Sequence, residues 1–328
     1  MKKITKILSV VMALVLVAVS FAACSDKKAT SKTLKIGIIQ YMSHPSLDNC
    51  YKGILDSLNA SGLDFTVDYQ VGSSASADAD CANFAKTMVA GSYDMIIAIA
   101  TPAAKAAFTA TNDTEIPVIF SAVSDPVAAS LVKSLDNPEY LCTGTSDVLD
   151  LKAQVDLIQT MQPDVKKIGI LYTSSEDNSV SNLARFKEVC SERNIEVIAT
   201  AVQNATDIPS AAEDLASKVD CINNFTDNNV VNNLNVVLSA ADKHNIPVYG
   251  SEEEQVKNGC LASVSIDYVS LGKTTGQMAV DVLKGADIKT MAVKTITDAT
   301  PVINKTVLNK LSITLPSQYA NATTVESK

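Results

Sequence analysis

At 328 residues, 47% hydrophobic and 19% charged, the chain is long enough for two domains, each with a proper core. Lys2, Lys3 and Lys6 fall within the first 23 residues beside no acid, so the remainder sets 24 basic residues against all 36 acidic ones. That acidic body excludes nucleic acid or an anionic bilayer as the main partner, and a chain whose only histidines are His44 and His244 is a poor source of zinc ligands.

Residues 1–23 read as a targeting signal, with a basic start and an apolar run over 8–23 that is short against the ~20 residues a spanning helix needs. Phe21-Ala22-Ala23-Cys24 resembles a bacterial lipobox, which makes Cys24 a lipidation site and residues 24–33 a polar tether. The alternative is ordinary signal cleavage with an incidental cysteine. The other cysteines, Cys50, Cys81, Cys142, Cys190, Cys221 and Cys260, lie mostly in apolar patterns, which fits buried thiols better than a disulfide framework.

Strand and helix patterns then alternate. Residues 34–40 read as a strand, and Pro45–Ala60 as a helix with Leu47, Cys50, Tyr51, Ile54, Leu55 and Leu58 on one face. Residues 65–70 alternate like a strand, 72–79 form a small-residue loop, and 80–90 a helix closed by Gly91. Residues 94–100, continuously apolar after Asp94, read as a parallel strand covered on both faces. Thr101 stands where an N-cap belongs and Pro102 fits the first helical position. A strand at 117–121 ends this series.

A second series follows: a helix at Leu151–Met161, a strand at 167–172, and a helix at 178–193 with Val180, Leu183, Phe186, Val189 and Cys190 inward. Next come a strand at 195–201, a helix at 208–218, a short strand at 220–222 and a helix at 230–244. Strands at 247–249 and 261–264 precede a long helix, Tyr268–Leu283, ended by Gly285. This βαβα order predicts an α/β fold in which parallel sheets carry helices on both faces, arranged as two lobes across a cleft.

No phosphate loop is present: Gly272-Lys273-Thr274 comes close, but Asp267 stands where the first glycine belongs and the segment lies inside a helix. No dinucleotide fingerprint and no nucleophile elbow occur, so neither cofactor nor catalytic chemistry has a visible seat. What does recur is polar clusters after strands: Tyr41 to Pro45, Thr101-Pro102, Ser121 to Pro126, Thr145-Ser146-Asp147, Ser174 to Ser179, Thr226-Asp227-Asn228 and Ser251-Glu252. One such cluster is an ordinary turn or cap, but many at the same topological place mark a ligand cleft.

These residues carry a resemblance. The chain is similar to the substrate-binding lipoproteins of ABC importers, and more closely to the aromatic-amino-acid (tryptophan/tyrosine-type) binders with the type I periplasmic-binding fold. The likeness rests on residues 36–40 with His44-Pro45, residues 98–104, residues 116–126, Thr143 to Asp147, Ser175-Glu176 with Asn178-Ser179, Thr226-Asp227-Asn228, and Asp267-Tyr268 with Leu271-Gly272. It implies two Rossmann-like lobes, 34–147 plus 265–297 and 148–264 plus 298–328, joined by three crossovers near Val148, Val264 and Thr297. It also implies a ligand clasped by closure about that hinge. Carried over by position, Thr101 and Ser121, with the N–H of Ala103, hold the ligand carboxylate, and Asp147 and Asp227 hold the ammonium. Ser174, Asn178 and Ser179 add bonds from the second lobe, and Tyr41 and His44 flank the side chain. The implied partners are an aromatic amino acid, an ABC permease with its ATPase, and the outer face of the membrane through the lipid anchor. Rival readings are a ligand sensor for a membrane receptor and a secreted α/β enzyme using Glu176, Asp227 or Asp147.

Overall fold

The computed structural model describes residues 32–296 and 299–327. The signal segment, Cys24, most of the tether and the crossover near Thr297 lie outside the described residues. Six parallel strands form the first sheet: β1 (Leu34–Gln40), β2 (Phe65–Val71), β3 (Met95–Ile99), β4 (Val118–Ser121), β5 (Cys142–Ser146) and a late arrival, β11 (Lys294–Thr295). Their order is β11-β5-β4-β3-β1-β2. Every residue of β3 is buried, because helices cover both faces of the sheet, and this is what its unbroken apolar run requires.

A second parallel sheet, ordered β7-β6-β8-β9, is built from β6 (Lys167–Thr173), β7 (Glu196–Val202), β8 (Cys221–Asn223) and β9 (Val248–Tyr249). Leu261 N–H donates to Val248 O at 2.7 Å and Gly250 N–H to Ala262 O at 2.9 Å, which carries the chain on to β10 (Ala262–Ser265). There β10 pairs antiparallel with β12 (Thr300–Asn304), itself parallel to β13 (Thr323–Val325). The wholly parallel expectation therefore fails at one pairing: after the helix Tyr268–Leu283 and β11 in the first sheet, the returning segment runs beside β10 in the opposite direction.

The helices are α1 (Pro45–Ala60), α2 (Ala77–Ala90), α3 (Thr101–Thr111), α4 (Leu151–Met161), α5 (Asp177–Ser191), α6 (Ile208–Ala216), α7 (Asn228–Asn232), α8 (Leu234–Lys243), α9 (Glu253–Lys257), α10 (Tyr268–Leu283) and α11 (Lys305–Lys310). Two features of their packing place the site. Strand order reverses between β1 and β3 and again between β6 and β8, so the loops after those strands part and leave crevices at their carboxyl ends. The second feature is the contact of α1 with α10, which is backbone-close. A Cβ on Gly53 would lie 2.2 Å from Val269 O, and one on Gly272 only 2.1 Å from Cys50 O. The glycine that mimicked a phosphate loop is thus a packing residue. It seats the start of α10 against the start of α1.

Three local expectations change. The helix expected over 230–244 breaks at Asn233 (φ −115°, ψ 24°), whose Nδ2 donates to Asn229 O at 2.8 Å and satisfies a carbonyl at the break. Val180, expected inward, is 46% exposed, because the first turn of α5 directs Asn178 and Ser179 inward instead. Finally, Thr101 is not an N-cap. Ala100 holds that position at φ 79°, and Thr101 is already helical. Cys50, Cys81, Cys142, Cys190, Cys221 and Cys260 are buried free thiols.

Candidate ligand-binding cleft

Several residues that follow the carboxyl ends of strands meet in the space between the two sheet systems. That space contains a small cavity with about 20 Å³ of internal room, about what one water molecule occupies. His44, Ser46 and Leu47 come from the start of α1, Ala100 and Thr101 from that of α3, and Asp147 follows β5. From the opposite side come Asn178, Thr226, Asn228, Val231 and Glu252, and Tyr268 closes the hinge side.

The two sides touch. His44 Nε2 lies 3.3 Å from Asn228 Oδ1, Ser124 Oγ 3.5 Å from Thr226 Oγ1, and Asn49 Nδ2 3.4 Å from Glu254 Oε1. Lys105 pairs with Asp177, and Ser181 donates to Asp125, at the rim. The clamp is therefore closed.

Several buried polar atoms on the cavity wall have no hydrogen-bond partner among the described residues: Ser46 Oγ, Thr101 Oγ1, Glu252 Oε2, Asn178 Oδ1 and His44 Nδ1. Buried polar atoms normally find partners, so such a group on one wall marks where a ligand is held. It has two chemical characters. Ser46 and Thr101 are hydroxyl donors in the first turns of α1 and α3, where unpaired backbone N–H groups and the positive helix ends also gather. This wall suits an anion. Ala100's positive φ starts α3 one residue early, which frees the Thr101 hydroxyl from capping and leaves it to the cavity.

Glu252 and Asp147 make the opposing, acidic character. Among the described residues, no lysine or arginine lines the cavity. Burial pushes the Glu252 carboxyl up to about 8, with Glu254 and Asp147 adding repulsion and Gln255 opposing the rise. Burial also raises Asp147, although Tyr268 OH and Ser124 Oγ donate to its carboxylate at 2.8 and 3.0 Å. Two desolvated carboxyls with no cation between them hold a ligand cation well.

Of the nine positions carried over by resemblance, His44, Thr101, Asp147 and Asn178 line this cavity. Tyr41 is buried beside Asp78, and Ser121 Oγ is taken by Thr275 Oγ1 at 2.9 Å. Ser174 is exposed, its hydroxyl 3.4 Å from Val202 O. Ser179 Oγ donates to Asp227 at 2.7 Å. Asp227 caps α7: its carboxylate accepts from Val230 N at 2.9 Å, Thr173 N at 2.6 Å and Thr173 Oγ1 at 2.8 Å as well as from Ser179. It has no capacity left for an ammonium, and its role in the fold is the cap. Glu176 likewise serves α7, accepting from Asn228 N at 3.0 Å, Asn228 Nδ2 at 2.6 Å and Asn229 N at 3.2 Å; burial, with Asp227 adding, lifts its carboxyl to about 8.

The cavity wall also includes Ser46, Ser124, Thr226, Asn228, Tyr268 and above all Glu252, to which the sequence assigns no individual ligand role. Most stand within the strand-end clusters or beside them. Ser46 carried no signal of its own beyond following Pro45.

The chain matches the family model for ABC transporter substrate binding protein over residues 35–325. It is 36% identical over 329 residues, 95% of this chain and 94% of the other, to a protein named tyrosine-binding protein from Clostridioides difficile (strain R20291). It is also similar to a crystal structure described as an ABC domain in complex with L-Trp from Streptococcus pneumonia, with TM-score 0.86 and 37% identity, covering 90% of this chain and all of that one. A ligand-free, open substrate-binding protein with adhesive properties from Clostridium difficile, 33% identical with the same coverage, superposes less well, at 0.68, as expected of a closed clamp set against an open one. The chain belongs to the ABC transporter substrate binding protein family.

Proposed function

We propose that this protein captures a zwitterionic aromatic amino acid outside the cytoplasm and delivers it, unaltered, to an ABC permease and its ATPase. One observation carries the reading: unpaired hydroxyl donors at two helix starts and unpaired acceptors around buried carboxyls share one closed cavity. In this reading Ser46, Thr101 and the first-turn N–H groups hold the carboxylate, while Glu252 and Asp147 hold the ammonium. The names of the relatives, a tyrosine binder and an L-Trp complex, support the aromatic class. The lobe bounds are 34–147 plus 265–297 and 148–264 plus 298–328, and Cys24 is the lipid anchor that keeps the clamp at the membrane.

Isothermal titration with L-tyrosine and L-tryptophan, beside tyramine and 3-(4-hydroxyphenyl)propionate, tests it. The amino acids should bind and be recovered intact, and each analogue, lacking one charge, should bind at least about 10-fold more weakly. Equal affinity for tyramine and tyrosine would remove the carboxylate assignment.

A further inference from the structure

We propose that the cavity selects amino acids whose side chain carries a hydrogen-bond donor, with His44 Nδ1 and Asn178 Oδ1 as the acceptors that read it. This rests on the zwitterion reading and adds the side chain to it.

Three unpaired acceptors belong to the cavity wall, Glu252 Oε2, His44 Nδ1 and Asn178 Oδ1, in two separate hydrogen-bonding clusters, whereas an α-amino acid brings one ammonium. Its ammonium has three N–H groups, and the adjacent carboxyls of Glu252 and Asp147 claim them on the acidic side. His44 and Asn178 belong to a different cluster, joined through Asn228 and Glu176. The direction of every bond in that cluster is fixed. Glu176 Oε2 already accepts from the backbone N–H of Asn228 at 3.0 Å, so Asn228 turns its Nδ2 toward that oxygen and its Oδ1 toward His44. His44 Nε2 must then carry the proton donated to Asn228 Oδ1. In the neutral ring this leaves Nδ1 as a bare acceptor. Burial keeps the ring neutral, lowering it to about 4.

Asn178 is fixed in the same way. Its Nδ2 donates to Glu176 Oε2 at 3.1 Å and to Thr226 O at 3.0 Å, so Oδ1 is what it shows to the cavity. Two buried acceptors therefore wait for a donor beyond the zwitterion, beside the apolar walls of Leu47 and Val231. A phenol O–H or an indole N–H supplies one, and a phenyl ring does not. A site built around such a bond rejects the analogue that lacks it, because its own buried groups are left unpaired.

The test is titration of the protein with L-tyrosine, L-tryptophan, L-phenylalanine and 3-(benzothiophen-3-yl)-L-alanine, which keeps the shape of tryptophan but replaces N–H by sulfur. Each donor-bearing ligand that binds should do so about 100-fold or more tightly than its donor-less counterpart. His44→Phe and Asn178→Leu should shrink that ratio by lowering affinity for the donor-bearing ligand alone. Phenylalanine bound as tightly as tyrosine, or variants that weaken every ligand by one factor, overturns the proposal while leaving the zwitterion reading intact. If none of the four ligands binds, the aromatic reading and the proposal fall together.

Discussion

His44 and Asn228 stand 184 positions apart in the chain and meet across the cleft, Nε2 to Oδ1 at 3.3 Å. Asn228 serves two ends at once, because its Nδ2 and backbone N–H both donate to the buried Glu176. The contact thus ties the start of α1 to the start of α7 through a carboxyl that no water need reach.

Asn228→Ala removes this latch. Leaving a buried polar group without its hydrogen-bond partner costs about 1–3 kcal/mol. Ligand affinity should fall about 10- to 100-fold, and small-angle scattering should show less contraction on ligand addition than in the wild type. Unchanged affinity and unchanged contraction together would show that closure does not use this contact.

Glu252→Gln and Asp227→Asn separate binding from folding. Glu252 has an unpartnered oxygen in the cavity, so its loss should reduce affinity by at least about 10-fold without lowering the denaturation midpoint. Asp227 is saturated by cap bonds, so its loss should destabilise the fold by about 1–3 kcal/mol. The reverse pattern, read by calorimetry and urea unfolding on both variants, would restore Asp227 as the ammonium partner.

Thr101→Val deletes a buried hydroxyl that has no partner within the described residues and keeps its shape. Stability of the ligand-free protein should hold or rise slightly, since nothing is lost in the fold. Ligand affinity should drop by about 1 kcal/mol or more, the worth of one hydrogen bond to a carboxylate. A fall in stability with unchanged affinity would place this hydroxyl in the fold and not in the site.

The pH dependence has two limbs. His44 is lowered by burial from 6.5 to about 4, so the unfolded chain takes up a proton first and stability is lost as pH falls between those values. The loss is about 3 kcal/mol at most. Glu252 and Glu176 are raised by burial from 4.5 to about 8, so the unfolded chain releases protons first and stability is lost as pH rises through that window. His44→Phe should flatten the acid limb and Glu252→Gln the alkaline one, read from melting temperature against pH. A bound ammonium favours ionised Glu252. Ligand binding near neutral pH should therefore release protons, visible as a heat that varies with buffer ionisation enthalpy. A heat independent of buffer excludes that linkage.

Gly272→Ala should test the helix contact beneath the site. Its Cβ would come 2.1 Å from Cys50 O, a backbone atom that cannot swing away, so α10 and α1 must separate. The expected cost is about 2 kcal/mol or more in urea unfolding. A change under half a kcal/mol would mean the helices part freely.

Much of this molecule is local and therefore legible in the chain itself. Pro45–Ala60, Leu151–Met161 and Tyr268–Leu283 are helices with the bounds their periodicity predicts, and β3 is buried along the length its apolar run implies. The polar clusters do stand at strand ends, because hydrophobic period and turn chemistry act over a few residues. What the chain could not show is where each polar side chain at a helix start points. Asp150, Asp227 and Asp267 cap their own helices, whereas His44 and Glu252 stand at the same kind of position and make no cap bond. In sequence these are equivalent: a polar residue after a strand and before a helix. They diverge only when two sheets, far apart in the chain, close on each other and decide which starts face a partner, which face water and which face the cavity. Asp227 is drawn to Thr173 and Ser179, supplied by β6 and α5, and Glu252 is left facing Asp147 across a space that no neighbouring segment fills. That choice is made by contacts 48 and 54 residues away for Asp227 and 105 away for Glu252, and local pattern carries no information about them.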